Sequence, residues 1–414
     1  MQKACKPGNG GIFMREIVII GGGAAGMAAA IAAAADSGSH VTLLERQARV
    51  GRKLLSTGNG RCNLSNRAAG DGTHYHGEDP QFSRAALARH GVEDTLAWFR
   101  ALGLVTTEEP DGKLYPRSNM AGSVLDMLRF ALDRPNITVR CGERVTALRR
   151  AGGGLVVETE TERLRAGRVI LAAGGCAGAK LGGVTDGYQL AAALGHSRTA
   201  LHPALVQLKT DPTYPRALKG VKADAAAALL RGRECLARTE GEILFTEYGV
   251  SGPAIFELSR AAACGGEGLR LRLDFLSGWT EAETADWLRA RRQANLAEAS
   301  QLLTGTLHTR LGQTVCRAAG FTNQPPETLT DADLDAIAQR LRGFSLPVTG
   351  VCGFDQAQVT AGGLRTAEFD PETLESRLVP GLFAVGEVLD VDGDCGGYNL
   401  QWAWSSGRTA GAAR

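Results

Sequence analysis

The chain contains no CxxC motif and no closely spaced cysteine pair, although it has nine cysteines, at Cys5, Cys62, Cys141, Cys176, Cys235, Cys264, Cys316, Cys352 and Cys395. That scatter argues against a disulfide framework, a zinc site of cysteine spacing and a dithiol reductase. Charge of one sign is also missing: 46 basic side chains against 44 acidic ones leave +2, so neither nucleic acid nor an anionic membrane is expected as a partner. Ile17 to Ala35 carries no charge over 19 residues. Most of the segment is Gly and Ala, which contribute little transfer free energy, so it is not expected to span a membrane. No apolar signal-peptide core precedes Met14, and a cytoplasmic location is expected. Met14-Arg15-Glu16-Ile17 has the look of a natural start, so residues 1–13 are expected to be a disordered extension or the result of a misplaced start codon. Long repeats, low-complexity linkers and coiled-coil heptads are absent as well.

What is abundant is glycine, 54 residues in a chain of 414, with 44% hydrophobic and 22% charged residues. Such a chain is globular, long enough for two or three domains, and suited to close backbone approaches. The most informative stretch is Gly21-Gly22-Gly23-Ala24-Ala25-Gly26, which follows the apolar run Ile17 to Ile20 and opens the Ala-rich segment Met27 to Ala35. This is a strand, a tight turn and a helix start. Gly21 permits the turn, Gly23 lets backbone approach a pyrophosphate, and Gly26 allows helix to pack on strand. A second apolar run, Val41 to Leu44, ends at Glu45, 19 residues past Gly26, where a carboxylate can accept hydrogen bonds from ribose hydroxyls.

Farther along, Asn136 to Arg150 and Gly154 to Glu160 predict short strands, and Arg168 to Leu171 predicts a strand running into Ala172-Ala173-Gly174-Gly175. Small residues there suit a chain passing close to a cofactor. Leu201 to Leu276 is strand-like and predicts a β-rich domain. Thr280 to Arg342 shows helical spacing, Gly343 to Gly363 is β-like again, and Leu382 to Glu387 predicts a buried strand before a glycine loop and the Trp402 to Ala412 helix.

Four segments are therefore candidates to converge on one dinucleotide. Besides the fingerprint and Val169 to Gly175, they are the loop Gly51 to Asn63, with cations Arg52, Lys53 and Arg61, and the segment from Gly386-Glu387 through Gly396-Gly397-Tyr398-Asn399-Leu400-Gln401. Cations in such a loop can offset phosphate charge, or they can form a solvated surface. Amides at the start of the last helix can stabilise negative charge on a flavin's pyrimidine edge, and Glu387 can bind its ribitol chain; a plain turn and helix cap is the alternative. Together the four segments favour FAD over NAD.

Over nearly its whole length from Met14 the sequence resembles the BaiN/RdsA-type, or YhiN-like, FAD-dependent oxidoreductases. The carriers are GRKLLSTGNGRCNLSN (Gly51 to Asn66), FTEYGVSGPAIFELS (Phe245 to Ser259), VTAGG (Val359 to Gly363) and LVPGLFAVGEVLDVDGDCGGYNLQWAWSSG (Leu378 to Gly407). The resemblance implies an α/β fold: a Rossmann-type, glutathione-reductase-like FAD-binding domain interrupted by a β-barrel-like domain and a helical insertion. The expected boundaries are 14–195 and 366–414 for the FAD domain, 196–278 and 344–365 for the barrel, and 279–343 for the helices. By position, Gly21, Gly23, Ala24, Ala25, Gly26, Glu45, Arg46, Lys53, Leu54, Arg61, Cys62 and Asn63 would line FAD. Val145 would present its backbone to adenine, Ala173 and Gly174 would pass the cofactor, and Gly386, Glu387, Gly397, Tyr398, Asn399 and Leu400 would hold ribitol and isoalloxazine.

For catalysis the candidates are Cys62, Tyr398 and His202, each with a packing role as its alternative; no resolving cysteine lies near Cys62. His74-x-His76 lacks a third ligand at metal spacing, so no metal is expected and a loop is predicted there. The expected reaction is NAD(P)H-driven hydride transfer through flavin N5 to an activated C=C of a small hydrophobic substrate. With no second GxGxxG in the sequence, NAD(P)H would bind only transiently. The alternatives are an amine oxidase resembling aminoacetone oxidase that forms hydrogen peroxide, a tRNA-modifying flavoprotein, and a non-catalytic flavin sensor.

Overall fold

The computed structural model describes residues 15–70 and 72–413, so the expectation for residues 1–13 lies outside the described part of the chain. Within it the chain divides into two units, one built from the residues up to Leu201 together with Ala361 onward, the other running from His202 to Thr360.

The first unit is organised on a five-stranded parallel sheet, in the spatial order Leu382–Ala384, Arg168–Leu171, Arg15–Ile20, Ser39–Glu45, Ile137–Cys141. Its central strand Arg15–Ile20 (β1) is flanked in register on both sides, Ile19 opposite Ile170 and Leu43, and its last four residues are buried. Strands covered on both faces need continuous apolar runs, which is what this sequence supplies. Helix Ala24–Ala33 (α1) is apolar on all sides, and most of it is buried. One side packs on the helix Tyr398–Ala412. The approach is close because Gly407 and Gly411 face α1: a Cβ on either would stand 2.3 and 2.4 Å from the carbonyl oxygens of Ala25 and Ala29. This last helix starts four residues earlier than its apolar spacing predicts, at the Gly397–Tyr398 junction. A three-stranded antiparallel sheet, Val145–Ala151, Gly154–Thr159 and Arg163–Ala166, accounts for the alternating run noted above.

The second unit holds a closed six-stranded barrel in which Leu208–Thr210, Gly249–Ser251, Glu234–Phe245, Lys222–Arg231, Leu269–Asp274 and Phe344–Val351 follow one another. In Leu269–Asp274 the leucines point inward and the arginines outward, the period of two that a half-buried strand requires. Helices Glu281–Arg292, Thr309–Ala319 and Asp331–Arg342 form the predicted helical stretch. Two of them begin in capping boxes, Thr280 with Glu283 and Thr330 with Asp333, which satisfy otherwise orphaned amides. Leu288, Leu311, Val315, Ile337 and Leu341 join barrel residues such as Leu271 and Phe344 in one apolar cluster. A helix at Pro253–Cys264 was not anticipated; it starts after Gly252, with Pro253 in its first turn. Among the described residues no helix is long and apolar enough to cross a membrane.

Candidate FAD site

An open cleft runs along the carboxyl ends of the first unit's parallel strands, where ligands of such sheets bind. It is lined by the fingerprint turn, Glu45, Arg46, Lys53, Val145, Ala173, Gly174 and Glu387, among others. The turn is tight for a steric reason. Gly21 has φ +112° and its Cβ would lie 2.3 Å from Ala172 O, while a Cβ on Gly26 would lie 1.9 Å from Gly21 O. Gly23, by contrast, faces open space, with nothing within 4 Å of an added Cβ. A phosphate has room there, at the amino terminus of α1.

Glu45 is held by two backbone amides, Gly22 N–H donating to Oε2 at 2.8 Å and Gln47 N–H to Oε1 at 2.7 Å. Each oxygen keeps a second lone pair for a ribose hydroxyl. Gly51 N–H donates to Gly22 O at 2.8 Å and so ties the cationic loop to the fingerprint. From that loop Lys53 Nζ donates to Glu387 Oε2 at 2.7 Å, joining two cofactor candidates that are 334 residues apart. Arg46 Nε is buried without a hydrogen-bond partner among the described residues, the condition of a donor whose acceptor is a ligand.

Arg61 behaves differently from the other two cations of the loop. Arg52 and Lys53 line the cleft, but the Arg61 guanidinium donates to Glu109 Oε1 at 2.5 Å and to Asn119, and lies 4.0 Å over the Tyr115 ring. Its charge is paired within the protein with that of Glu109. Next to it Cys62 is fully buried in the left-handed region at φ +61°, and burial, only partly offset by a hydrogen bond with Thr57, pushes its thiol up to about 12. A thiol in that state is neutral and inert, so the packing role fits Cys62. Leu54 and Asn63 are also buried, and Asn63 Oδ1 has no partner among the described residues.

Of the last candidate segment only Glu387 lines the cleft; Gly386 N–H donates to Ser406 Oγ and Gly386 O accepts from Trp402 Nε1, fixing the Glu387 turn against the C-terminal helix. Gly397 has φ +106°, and its Cβ would stand 2.9 Å from Asn63 Oδ1. The orphan oxygen therefore lies beside the start of that helix. Asn399 clamps the preceding loop, accepting from Gly393 N–H at 2.8 Å and donating to Gly393 O at 2.7 Å, with half-buried Leu400 beside it. Tyr398 is buried and stacks on His74, ring centroids 4.4 Å apart. His202, the remaining catalytic candidate, opens the second unit and is half-buried there.

Two features escaped the sequence reading. Tyr188, on helix Asp186–Ala192, has a buried hydroxyl without a partner among the described residues; burial and then the charge of Glu387 push its pKa up. The other is Asp394, whose two carboxylate oxygens meet His74 Nδ1 at 2.8 Å and His76 Nε2 at 2.6 Å. Burial acts to raise the Asp394 pKa, but the hydrogen bonds from His76 and His74 outweigh it and hold the group below its ordinary value. Alternate histidines flanking a tyrosine were the visible signal, because i and i+2 share one side of a strand. Among the described residues no group of three or more His, Cys, Asp or Glu could hold a metal ion.

A glycine turn at a helix amino terminus, the carboxylate of Glu45 anchored beside it by two amides, and the unpartnered Arg46 donor in the cleft fit a dinucleotide. This is a Rossmann-type nucleotide site, and together with the chain's relatives it marks an FAD-dependent oxidoreductase. The chain belongs to the HI0933-like protein Rossmann domain family, whose pattern it matches over residues 15–413. It is 42% identical over 384 residues to the 3-dehydro-bile acid delta(4,6)-reductase of Clostridium scindens, covering 92% of this chain and 93% of that one. To the ribosomal RNA dihydrouridine synthase of Escherichia coli K12 it is 30% identical, over 89% of this chain and 90% of the other. Among solved structures, the 3-ketosteroid-delta4-(5alpha)-dehydrogenase of Rhodococcus jostii RHA1 aligns over 97% of both chains at 16% identity and a TM-score of 0.47.

Proposed function

We propose that this protein reduces a carbon–carbon double bond conjugated with a carbonyl in a small, largely apolar molecule, with a nicotinamide nucleotide as electron source. The observation that carries this reading is the 42% identity, over nearly the full length of both chains, to a reductase of 3-dehydro bile acids. The more distant relative supports the same chemistry. Dihydrouridine is uridine with the ring double bond next to its carbonyl saturated, so both names describe hydride addition to one kind of acceptor. RNA as the substrate is disfavoured by charge: residues 202–360 contain 17 Lys and Arg against 18 Asp and Glu, whereas RNA-binding proteins draw much of their affinity from neutralising phosphates.

Bound FAD supplies the hydride. The chain's own residues do the rest: the α1 terminus and Gly23 would receive the pyrophosphate, Glu45 the ribose and the Val145 backbone the adenine. Lys53 and Glu387 would anchor the central part of the cofactor. The amides that open the C-terminal helix would favour negative charge on the flavin ring, which promotes electron acceptance without any side chain changing protonation state.

The test is anaerobic stopped-flow spectroscopy of the FAD-loaded protein. Bleaching by NADH or NADPH, followed by colour recovery on adding a 3-oxo-4-ene steroid, is expected. Bleaching by amines alone would replace this reading with an oxidase, and recovery with ribosomal RNA but no small enone would replace the substrate class.

A further inference from the structure

Hydride addition to the β-carbon of an enone leaves the electron pair of the double bond on the α-carbon and carbonyl oxygen, so a proton must also arrive. Two of the three sequence candidates do not supply it well: the Cys62 thiol is inert, and the Tyr398 ring is packed between His74 and Tyr75; the third, His202, belongs to the second unit. Several histidines are committed elsewhere. His40 pairs with Glu16, His90 with Asp94, and buried His196 bridges Glu368 and Ser376; the His308 ring accepts from Arg310 N–H at a helix start.

Resting on the enone-reductase reading, we infer that His74 holds and delivers this proton from Nε2, with Asp394 and His76 as its positioning residues. Strand Tyr75–His76 pairs with Asp392–Gly393, which brings His74, His76 and Asp394 together. Asp394 engages His74 through Nδ1, so Nε2 is the nitrogen left to exchange a proton outside the cluster. His76 takes the other carboxylate oxygen and prevents Asp394 from rotating away. The imidazole also stacks at 27° on Tyr398, the first residue of the C-terminal helix. Tyr75 Oη donates to Tyr398 O at 3.1 Å, and Asn399 pins residues 393 and 394. His74 thus shares one rigid frame with the helix terminus proposed to receive the flavin ring, and its side chain remains 35% exposed.

In the step itself, the Nε2–H bond breaks and a C–H bond forms at the α-carbon, completing net addition of hydride and proton; the neutral imidazole is then reprotonated from solvent. The titratable and charged neighbours of the group are Asp394, Asp392 and Cys395 on the loop, His76 and Tyr75 on the paired strand, Tyr398 on the helix, and Lys113, whose stem reaches Gly396.

The test compares FAD-loaded wild type with H74Q in two measurements. The first needs no substrate: the visible spectrum of the oxidised flavin is titrated from about pH 5 to 9, the range in which histidine ionises. A pH-dependent change in the flavin spectrum is expected in wild type and is lost in H74Q. A wild type without that change, or a change that survives in H74Q, overturns the placement of His74. In the second, H74Q is expected to slow reoxidation by enone by about 10²–10⁴, far more than it changes reduction by NAD(P)H. Equal reoxidation rates overturn the proton role. Should no enone reoxidise the wild type, the functional reading falls and with it the enone step, while the spectral titration still decides whether His74 lies at the flavin.

Discussion

Replacing Gly407 by alanine tests whether the contact between the first and last helices holds the cofactor site in shape. The added Cβ would stand 2.3 Å from Ala25 O and 3.1 Å from Ala28 Cβ, about 1 Å inside ordinary contact with the first. The obstacle is backbone, so no side-chain rotation relieves it and the helices must separate. Overpacking of this kind costs about 1–3 kcal/mol, and an obstruction on the main chain belongs at the upper end. At about 2–4 °C per kcal/mol, Tm should fall by roughly 6–12 °C. The same separation moves the Gly397 terminus away from the fingerprint, so FAD affinity should drop about tenfold, or about 1.4 kcal/mol. Circular dichroism melting and fluorescence titration with FAD measure the two effects. Gly122→Ala is the matched control: it lies in helix Ala121–Leu132 with nothing within 4 Å of its Cβ, and should stabilise by about 0.5–1 kcal/mol. A G407A protein melting within about 2 °C of wild type, with unchanged FAD affinity, would refute the reasoning.

Three further outcomes are expected. Iodoacetamide at pH 8 should leave Cys62 unmodified in the native protein while labelling exposed Cys141, Cys235 and Cys264; peptide mass spectrometry finding Cys62 alkylated would contradict its inert state. Glu387→Gln should weaken FAD binding about tenfold by replacing the charged acceptor 2.7 Å from Lys53 with a neutral amide, and a dissociation constant equal to wild type would exclude that anchor. For Asp394 the depressed pKa fixes the sign of a pH dependence. Its stabilising contribution is complete above the unfolded value of about 4 and is lost as pH falls through the lower folded value. The stability gap between wild type and D394N, from urea midpoints between about pH 6 and 2, should therefore close at the acid end; a gap that stays constant would count against it.

The parts of the site written in contiguous residues were legible before the fold was known. Gly21 to Gly26 after an apolar strand, and Glu45 at the end of the next, dictate their geometry through local sterics and hydrogen bonds. Arg61 shows where that legibility stops. Its loop position suggests a phosphate partner, yet Glu109 and Asn119, 48 and 58 residues away, claim it. Barrel closure likewise depends on pairings such as Leu208 with Val351, which no period within a strand reveals. Helix Pro253–Cys264 was hidden in alanine-rich sequence between strand signals. The Asp394 clamp joins residues about 320 positions apart, so only half of it, the two histidines, was visible as a pattern.

The order of strands in the parallel sheet has a consequence for synthesis. Strand Arg168–Leu171 waits for its outer neighbour Leu382–Ala384, and α1 waits for the helix that follows. At about 5–20 residues per second, the ribosome needs roughly 10–40 s to make the intervening stretch. Throughout that interval the nascent chain shows an unpaired sheet edge and an uncovered alanine face, the surfaces that chaperones recognise and that associate wrongly. The second unit, one unbroken stretch of chain, emerges in the meantime and has no such wait. On the cofactor placement proposed above, FAD capture becomes a late event of biogenesis, after the last helix has docked.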